Sequence, residues 1–292
     1  RQCIRSILRQ SYTGWRIVAV DDGSTDGSSN ILDEIARTDK RIFVIHQENK
    51  GSIEARKTGA LSENASECEW ITFVDADDLL HEDAIEKMYN VAVREQADLV
   101  CGAMERMYKG ITLPTVSPPC FRIETTKIYT HDEFIEKLFV GYFGISDFPV
   151  NLCGKMFRSR FVKEAFKHTP DIKFTGDDLC ITIQIVVSVH KIAIIPDKIY
   201  KYRIGGGTSK VSRDVIDDFV ILYNFKKEFA EHFSMPQDIQ RLMDIEMINI
   251  AKDYLERFVC QFGYDKNIVN KEIKRVCFMN EFHMAAERLL DS

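Results

Sequence analysis

Apolar and polar positions along the first hundred residues follow a repeated strand-then-helix rhythm. Trp15 to Val20 predicts a buried strand, and the turn chemistry of Asp21 to Gly27 leads into a helix over Ser28 to Arg37. Arg41 to His46 then reads as a short strand, Ser52 to Asn64 as a helix and Trp70 to Val74 as a strand. Glu82 to Gln96 follows as a helix and Asp98 to Ala103 as another strand. Strands alternating with helices of this length predict right-handed crossovers and a mainly parallel sheet covered on both faces.

The rhythm breaks after Lys109 at Pro114, Pro118 and Pro119. Beyond the break, Thr130 with Glu133 forms a capping box for a helix towards Phe139, Asp178 to His190 reads as a second helix, and Lys191 to Tyr202 as a strand. From Val211 onward, Phe219, Leu222, Phe225 and Phe229, then Ile248, Ala251, Leu255 and Phe258, recur at helical spacing. At the other end, Arg1 to Ser11 resembles the middle of an amphipathic helix, so a further element is expected ahead of it.

With 292 residues, 45% of them hydrophobic, the chain buries a large core, and a net charge of -6 excludes general attraction to nucleic acid or anionic lipid. Any phosphate site is therefore local. The eight cysteines contain no Cys-x-x-Cys pair, which favours reduced, buried thiols over zinc or redox chemistry. No signal peptide or membrane-spanning stretch is visible, so the expected location is the cytoplasm.

Ligands of open parallel sheets sit beyond the carboxyl ends of the strands, which draws attention to the acidic clusters there. Asp21-Asp22-Gly23-Ser24-Thr25-Asp26-Gly27 follows the first strand. Taken alone it reads as a capped turn, although a carboxylate at Asp22 is able to accept the imide hydrogen of uracil or thymine. Asp75-Ala76-Asp77-Asp78 follows the strand ending at Val74. Three carboxylates in four residues repel one another unless a cation joins them, and hard oxygen ligands favour Mg2+ or Mn2+.

Arg56, in the helix after Asn49-Lys50-Gly51, is placed to pair with a phosphate or an acidic ligand, while Lys57 reads as solvated. Gly176-Asp177-Asp178 opens a helix, where a cap and a general base are equally good readings. Arg203 precedes Gly205-Gly206-Gly207-Thr208-Ser209, a glycine-rich stretch that reads equally as a plain mobile loop or as one able to close over a diphosphate.

In this order, the motifs resemble those of family 2 glycosyltransferases, inverting enzymes of the GT-A fold, over Arg1 to about Ser209. Val20 to Gly27 is similar to the family's nucleotide-binding turn, Asn49-Lys50-Gly51 with Ala55-Arg56 to its next basic segment, and Val74 to Asp78 to its metal-binding motif. Gly154-Lys155-Met156-Phe157-Arg158 is similar to a Lys-Leu-Tyr-Arg segment of bacterial members that build surface polysaccharides. Gly176-Asp177-Asp178 occupies the place of a Glu-Asp pair, whose Asp is the catalytic base.

The resemblance implies an α/β GT-A domain over residues 1–209, with donor and metal binding in 1–109 and the acceptor side in 110–209, and a helical region over 210–292. It also implies a first strand and loop ahead of the helix at Arg1. Asp178 is then the base with Asp177 beside it; Asp21, Asp22, Arg56, Asp75 and Arg203 bind the nucleotide-sugar; and Asp77 with Asp75 holds the metal. The implied donor is a UDP-sugar, and the acceptor a glycan, a lipid-linked glycan or a protein. Such an enzyme works in the cytoplasm or peripherally at the inner face of the membrane. A metal-dependent phosphohydrolase or nucleotidyltransferase and a catalytically silent nucleotide-binding scaffold are the competing expectations.

Overall fold

A computed structural model describes residues 1–114, 117–144, 148–170, 172, 176–205, 214–233, 235 and 238–291, with every side chain among them except that of Asp177. The first part runs α1 (Gln2–Leu8), β1 (Ile17–Asp22), α2 (Ser28–Ala36), β2 (Ile42–Gln47), α3 (Ser52–Leu61), α4 (Glu63–Ser66), β3 (Trp70–Thr72), β4 (Leu79–Leu80), α5 (Ala84–Glu95) and β5 (Leu99–Tyr108). It continues through β6 (Ile111–Leu113), β7 (Lys127–Thr130), α6 (His131–Lys137), β8 (Lys155–Arg158), α7 (Ser159–Ala165), α8 (Asp177–Val186) and β9 (Lys191–Arg203). Four helices close the chain: α9 (Asp214–His232), α10 (Asp238–Phe262), α11 (Lys266–Cys277) and α12 (Asn280–Leu290).

The sheet is more mixed than the strand and helix alternation predicts. β1 and β2 pair in parallel, Ile17 opposite Ile42 through Asp22 opposite Gln47. The larger sheet has the order β3-β8-β5-β9-β4, with β6 on β5 and β7 on β9. Within it β5 and β9 are parallel, whereas β8 runs antiparallel to both β3 and β5, and β4 antiparallel to β9. The short strands β4, β6, β7 and β8 all enter antiparallel to their neighbours, so the parallel crossover rule applies only to β1 with β2 and β5 with β9.

Alternation of side chains divides the core between the two faces of this sheet. Val100, Ala193 and Ile195 face α5, packing with Ala84, Met88 and Ala92. Leu99, Cys101, Ile192 and Ile194 face the other way, into a cluster with Val162, Ile181, Ile185, Leu222, Met243 and Phe282. The C-terminal helices therefore share a core with the face that carries α7 and α8. At Gly176 a Cβ would stand 2.8 Å from Leu222 Cδ2, and φ is +83°, so α9 presses directly on the start of α8.

Between β1 and β3 lies an apolar cavity of about 710 Å3, lined in part by Trp15, Val18, Val20, Trp70, Thr72 and Val74. The indole N–H groups of Trp15 and Trp70 are buried there without a hydrogen-bond partner among the described residues. No helix among the described residues is long and apolar enough to cross a membrane.

The expected capping box is formed: Thr130 Oγ1 accepts from Glu133 N, and the Glu133 carboxylate accepts from Thr130 N at 2.9 Å. Thr130→Ala should therefore cost about 0.5–2 kcal/mol of stability, read as a lowered urea midpoint with unchanged slope. A midpoint equal to that of the wild type would show that α6 is held by packing alone.

Candidate active site

The turn after β1 is built around two aspartates with different tasks. Asp21 is buried; it accepts from Ser24 N at 3.2 Å, from the Ser29 hydroxyl, and meets His46 Nδ1 at 3.0 Å. These bonds, with those of Ser24 and Ser29 foremost, hold its carboxyl well below the usual range. Asp21 is thus turned into the protein, where it shapes the turn.

Asp22 reaches the other way, along the carboxyl edge of the strands. Its Oδ1 accepts from Gln47 Nε2 at 2.8 Å and Lys50 N at 2.9 Å, and its Oδ2 from Gly51 N at 2.8 Å. A carboxylate offers about four acceptor positions, so one remains on Oδ2. Gly23 keeps the two turns in contact: φ is +73° and a Cβ would lie 2.9 Å from Asn49 N, so only glycine fits without displacing backbone.

By anchoring Gly51, Asp22 sets the start of α3, and Gly59 lets that helix settle on Val18 and Val20 of β1. About one turn into α3, Arg56 joins two carboxylates that are far apart in sequence. Its Nη2 lies 2.9 Å from Asp75 Oδ1 and its Nη1 2.9 Å from Asp178 Oδ1. Asp178 Oδ2 also accepts from Leu152 N at 3.1 Å. The structure thereby brings Asp75, Arg56 and Asp178 together.

The three carboxylates after β3 do not act alike. Asp78 is buried and belongs to the protein: its Oδ2 accepts from Tyr200 Oη at 2.8 Å and its Oδ1 from Arg203 N at 2.7 Å. Burial raises its pKa despite these donors. Asp75 is half-exposed, its N–H donating to Tyr200 Oη at 3.1 Å. Asp77 is exposed and meets no hydrogen-bond or ion-pair partner among the described residues.

The acidity of the turn is felt at Cys3, whose thiol donates to Asp75 O at 3.4 Å. Its pKa is pushed up to about 11, by burial above all and also by the nearby charges of Asp78, Asp75 and Asp77. Among the described residues no three His, Cys, Asp or Glu side chains close a cage for a metal. What the site offers is one open carboxylate, Asp77, with Asp75 beside it, which suits a cation that takes its other ligands from phosphate and water.

Arg203 ends β9 with its Nη2 donating to Gln2 Oε1 at 2.7 Å, while its Nε is buried without a partner among the described residues. The loop of Gly206 to Ser209 lies outside the described residues, as does the Asp177 side chain. Two organisers carried no motif signal. Tyr200 ties Asp75 to Asp78 from a strand late in the chain, and His46 bridges Asp21 and Asp33, both at 3.0 Å. The Gln47 side chain bound to Asp22 is equally silent in sequence.

The family model for glycosyl transferase family 2 matches residues 1–146. The chain belongs to this family. It is 28% identical over 299 residues to the glycosyltransferase GlyG of Streptococcus pneumoniae serotype 4, covering 98% of this chain and 92% of that protein. The S. aureus TarS 1-349 crystal structure in complex with UDP-GlcNAc is similar in fold, with a TM-score of 0.64 and 16% identity over 87% of this chain and 76% of that one. GalNAc-T7 with UDP, GalNAc and Mn2+ shares the fold at a TM-score of 0.54 and 15% identity, over 90% of this chain and 53% of that one. The chain is thus a glycosyltransferase of GT-A-like α/β fold with a helical C-terminal region, related to bacterial enzymes.

Tyr200→Phe removes one hydroxyl that serves both Asp75 N–H and the buried Asp78 carboxylate. Leaving two such groups short of a partner should destabilise the protein by about 1–3 kcal/mol, measured by urea unfolding. A variant as stable as the wild type would show that water replaces the hydroxyl.

Proposed function

We propose that the enzyme transfers a sugar from a UDP-sugar, with inversion, to a hydroxyl of a glycan, a lipid-linked glycan or a protein. Its place of work is the cytoplasm or the inner face of the membrane, where it associates peripherally. The observation that carries this reading is the Arg56 bridge, which sets the carboxylate after β3 and the carboxylate opening α8 on one guanidinium. Donor-side and acceptor-side groups are thereby held together. Residues 1–109 supply the donor side, residues 110–209 the acceptor side, and residues 210–292 brace α8. The UDP-GlcNAc in TarS and the UDP and Mn2+ in GalNAc-T7 support the donor class and the metal.

In this reading the remaining acceptor position of Asp22 Oδ2 takes the imide N–H of uracil, while Asp21 keeps the turn in shape from behind. Arg203, at the end of β9, supplies a positive charge for the diphosphate. A divalent metal, Mn2+ or Mg2+, would be held by Asp77 and Asp75 and would supply positive charge to the leaving diphosphate. Arg56 keeps Asp75 and Asp178 from repelling one another and fixes the direction of both.

Asp178 accepts the proton of the acceptor hydroxyl as that oxygen bonds to the anomeric carbon from the face opposite the diphosphate. The C–O bond to the diphosphate breaks in the same step, so configuration inverts. Oδ1 meets Arg56 and Oδ2 accepts from Leu152 N–H, contacts that favour the ionised carboxylate a base requires.

Asp178→Asn should reduce transfer by roughly 100-fold to 10,000-fold while UDP-sugar affinity stays within about threefold. The measurement is the transfer rate against a screened panel of UDP-sugars and glycan or lipid-linked acceptors, with affinity from calorimetry. Transfer at the wild-type rate would remove Asp178 from the mechanism.

A further inference from the structure

One buried charge takes no part in the steps above. Lys155, on β8, is 1% exposed, and among the described residues no carboxylate lies within ion-pair distance of its ammonium. An ammonium out of water needs strong compensation. Here Nζ donates to Asn151 O at 2.5 Å and stands 5.6 Å from the centre of the Phe148 ring. The partner is a backbone carbonyl, and what lies on the other side of that peptide gives the arrangement its meaning.

Asn151 O and Leu152 N are the two ends of one peptide unit. Its carbonyl accepts from the Lys155 ammonium, and its N–H donates to Asp178 Oδ2 at 3.1 Å. Positive charge at the oxygen of a peptide polarises the group and strengthens its N–H as a donor, the more so in low dielectric. The unit cannot easily turn away. Thr182 Oγ1 donates to Val150 O at 2.6 Å, Asn151 Nδ2 to Cys153 O at 2.6 Å and Gly102 N to Gly154 O at 3.0 Å.

We propose that Lys155 is a positioning residue for the catalytic carboxylate, acting on Asp178 through the Asn151–Leu152 peptide to hold it ionised and aimed at the acceptor. The inference rests on the reading of Asp178 as the base. Together with Arg56 it places a cation behind each oxygen of Asp178, one in direct contact and one through a peptide. This explains a lysine in an otherwise apolar core, where methionine or leucine would pack at no cost in desolvation.

Other groups face the pair. Burial pushes Lys155 below the usual lysine range, opposed by Cys101, Asp178, Cys153 and Cys120 in that order. Asp178 meets Arg56 and, through it, Asp75. The thiols of Cys101 and Cys153 are themselves raised by burial, so they stay protonated at neutral pH and leave Asp178 as the negative charge facing Lys155.

The test reads ionisation directly and needs neither donor nor acceptor. In protein labelled with 13C at aspartate carboxyls, the Asp178 resonance, assigned by its loss in Asp178→Asn, is titrated in wild type and in Lys155→Met and Lys155→Gln. Removing the ammonium should move the Asp178 titration to higher pH by about half a unit or more. By reciprocity, the 15N resonance of Lys155 Nζ should titrate at lower pH in Asp178→Asn, a variant that keeps the lysine even if both lysine replacements unfold. An unmoved Asp178 titration in a folded Lys155 variant, or an unmoved Lys155 titration in Asp178→Asn, overturns the coupling. Loss of the base assignment shows itself separately, as undiminished sugar transfer by Asp178→Asn with the two titrations still coupled.

Discussion

The shared guanidinium of Arg56 is the contact on which the rest of the site depends. Asp75 follows β3, and Asp178 opens a helix about a hundred residues later. Without a cation between them the two carboxylates would repel, and neither would be held in a fixed direction. A single planar fork meets both at 2.9 Å, a geometry that arginine satisfies and lysine does not.

Holding that fork in place requires structure on both sides. Towards the amino terminus, Asp22 takes the Lys50 and Gly51 N–H groups and so sets where α3 begins, while Gly23 allows the two turns to touch. Towards the carboxyl terminus, α9 leans on Gly176 through Leu222, and Thr182 pins the segment that donates to Asp178. The C-terminal helices, apolar on the faces they turn to the sheet, thus act at a distance on the site by fixing α8.

Much of this was legible in the sequence, and the reason lies in the scale of the signals. Helices of nine or more residues and strands flanked by turn chemistry repeat their periodicity often enough to be read, as α2, α5, α8 and β9 show. Paired antiparallel strands of two to four residues, such as β4 and β8, do not, so the sheet reads as parallel until its order is seen. Clustered aspartates announced a site but not its division of labour. Asp78 differs from Asp77 because Tyr200, 122 residues away, donates to one and not to the other, and no local pattern encodes such a contact. The same holds for the partner of Arg56 and for the peptide that separates Lys155 from Asp178.

The division of labour among Asp75, Asp77 and Asp78 is the claim most exposed to measurement. Crystals soaked with UDP and Mn2+, with diffraction collected at the manganese edge, place the metal directly. The account predicts an anomalous peak about 2.0–2.3 Å from an Asp77 oxygen, in contact with the diphosphate, with Asp78 still bonded to Tyr200 and Arg56 still on Asp178. Manganese on Asp78, or UDP bound with its diphosphate away from Asp77, would contradict it.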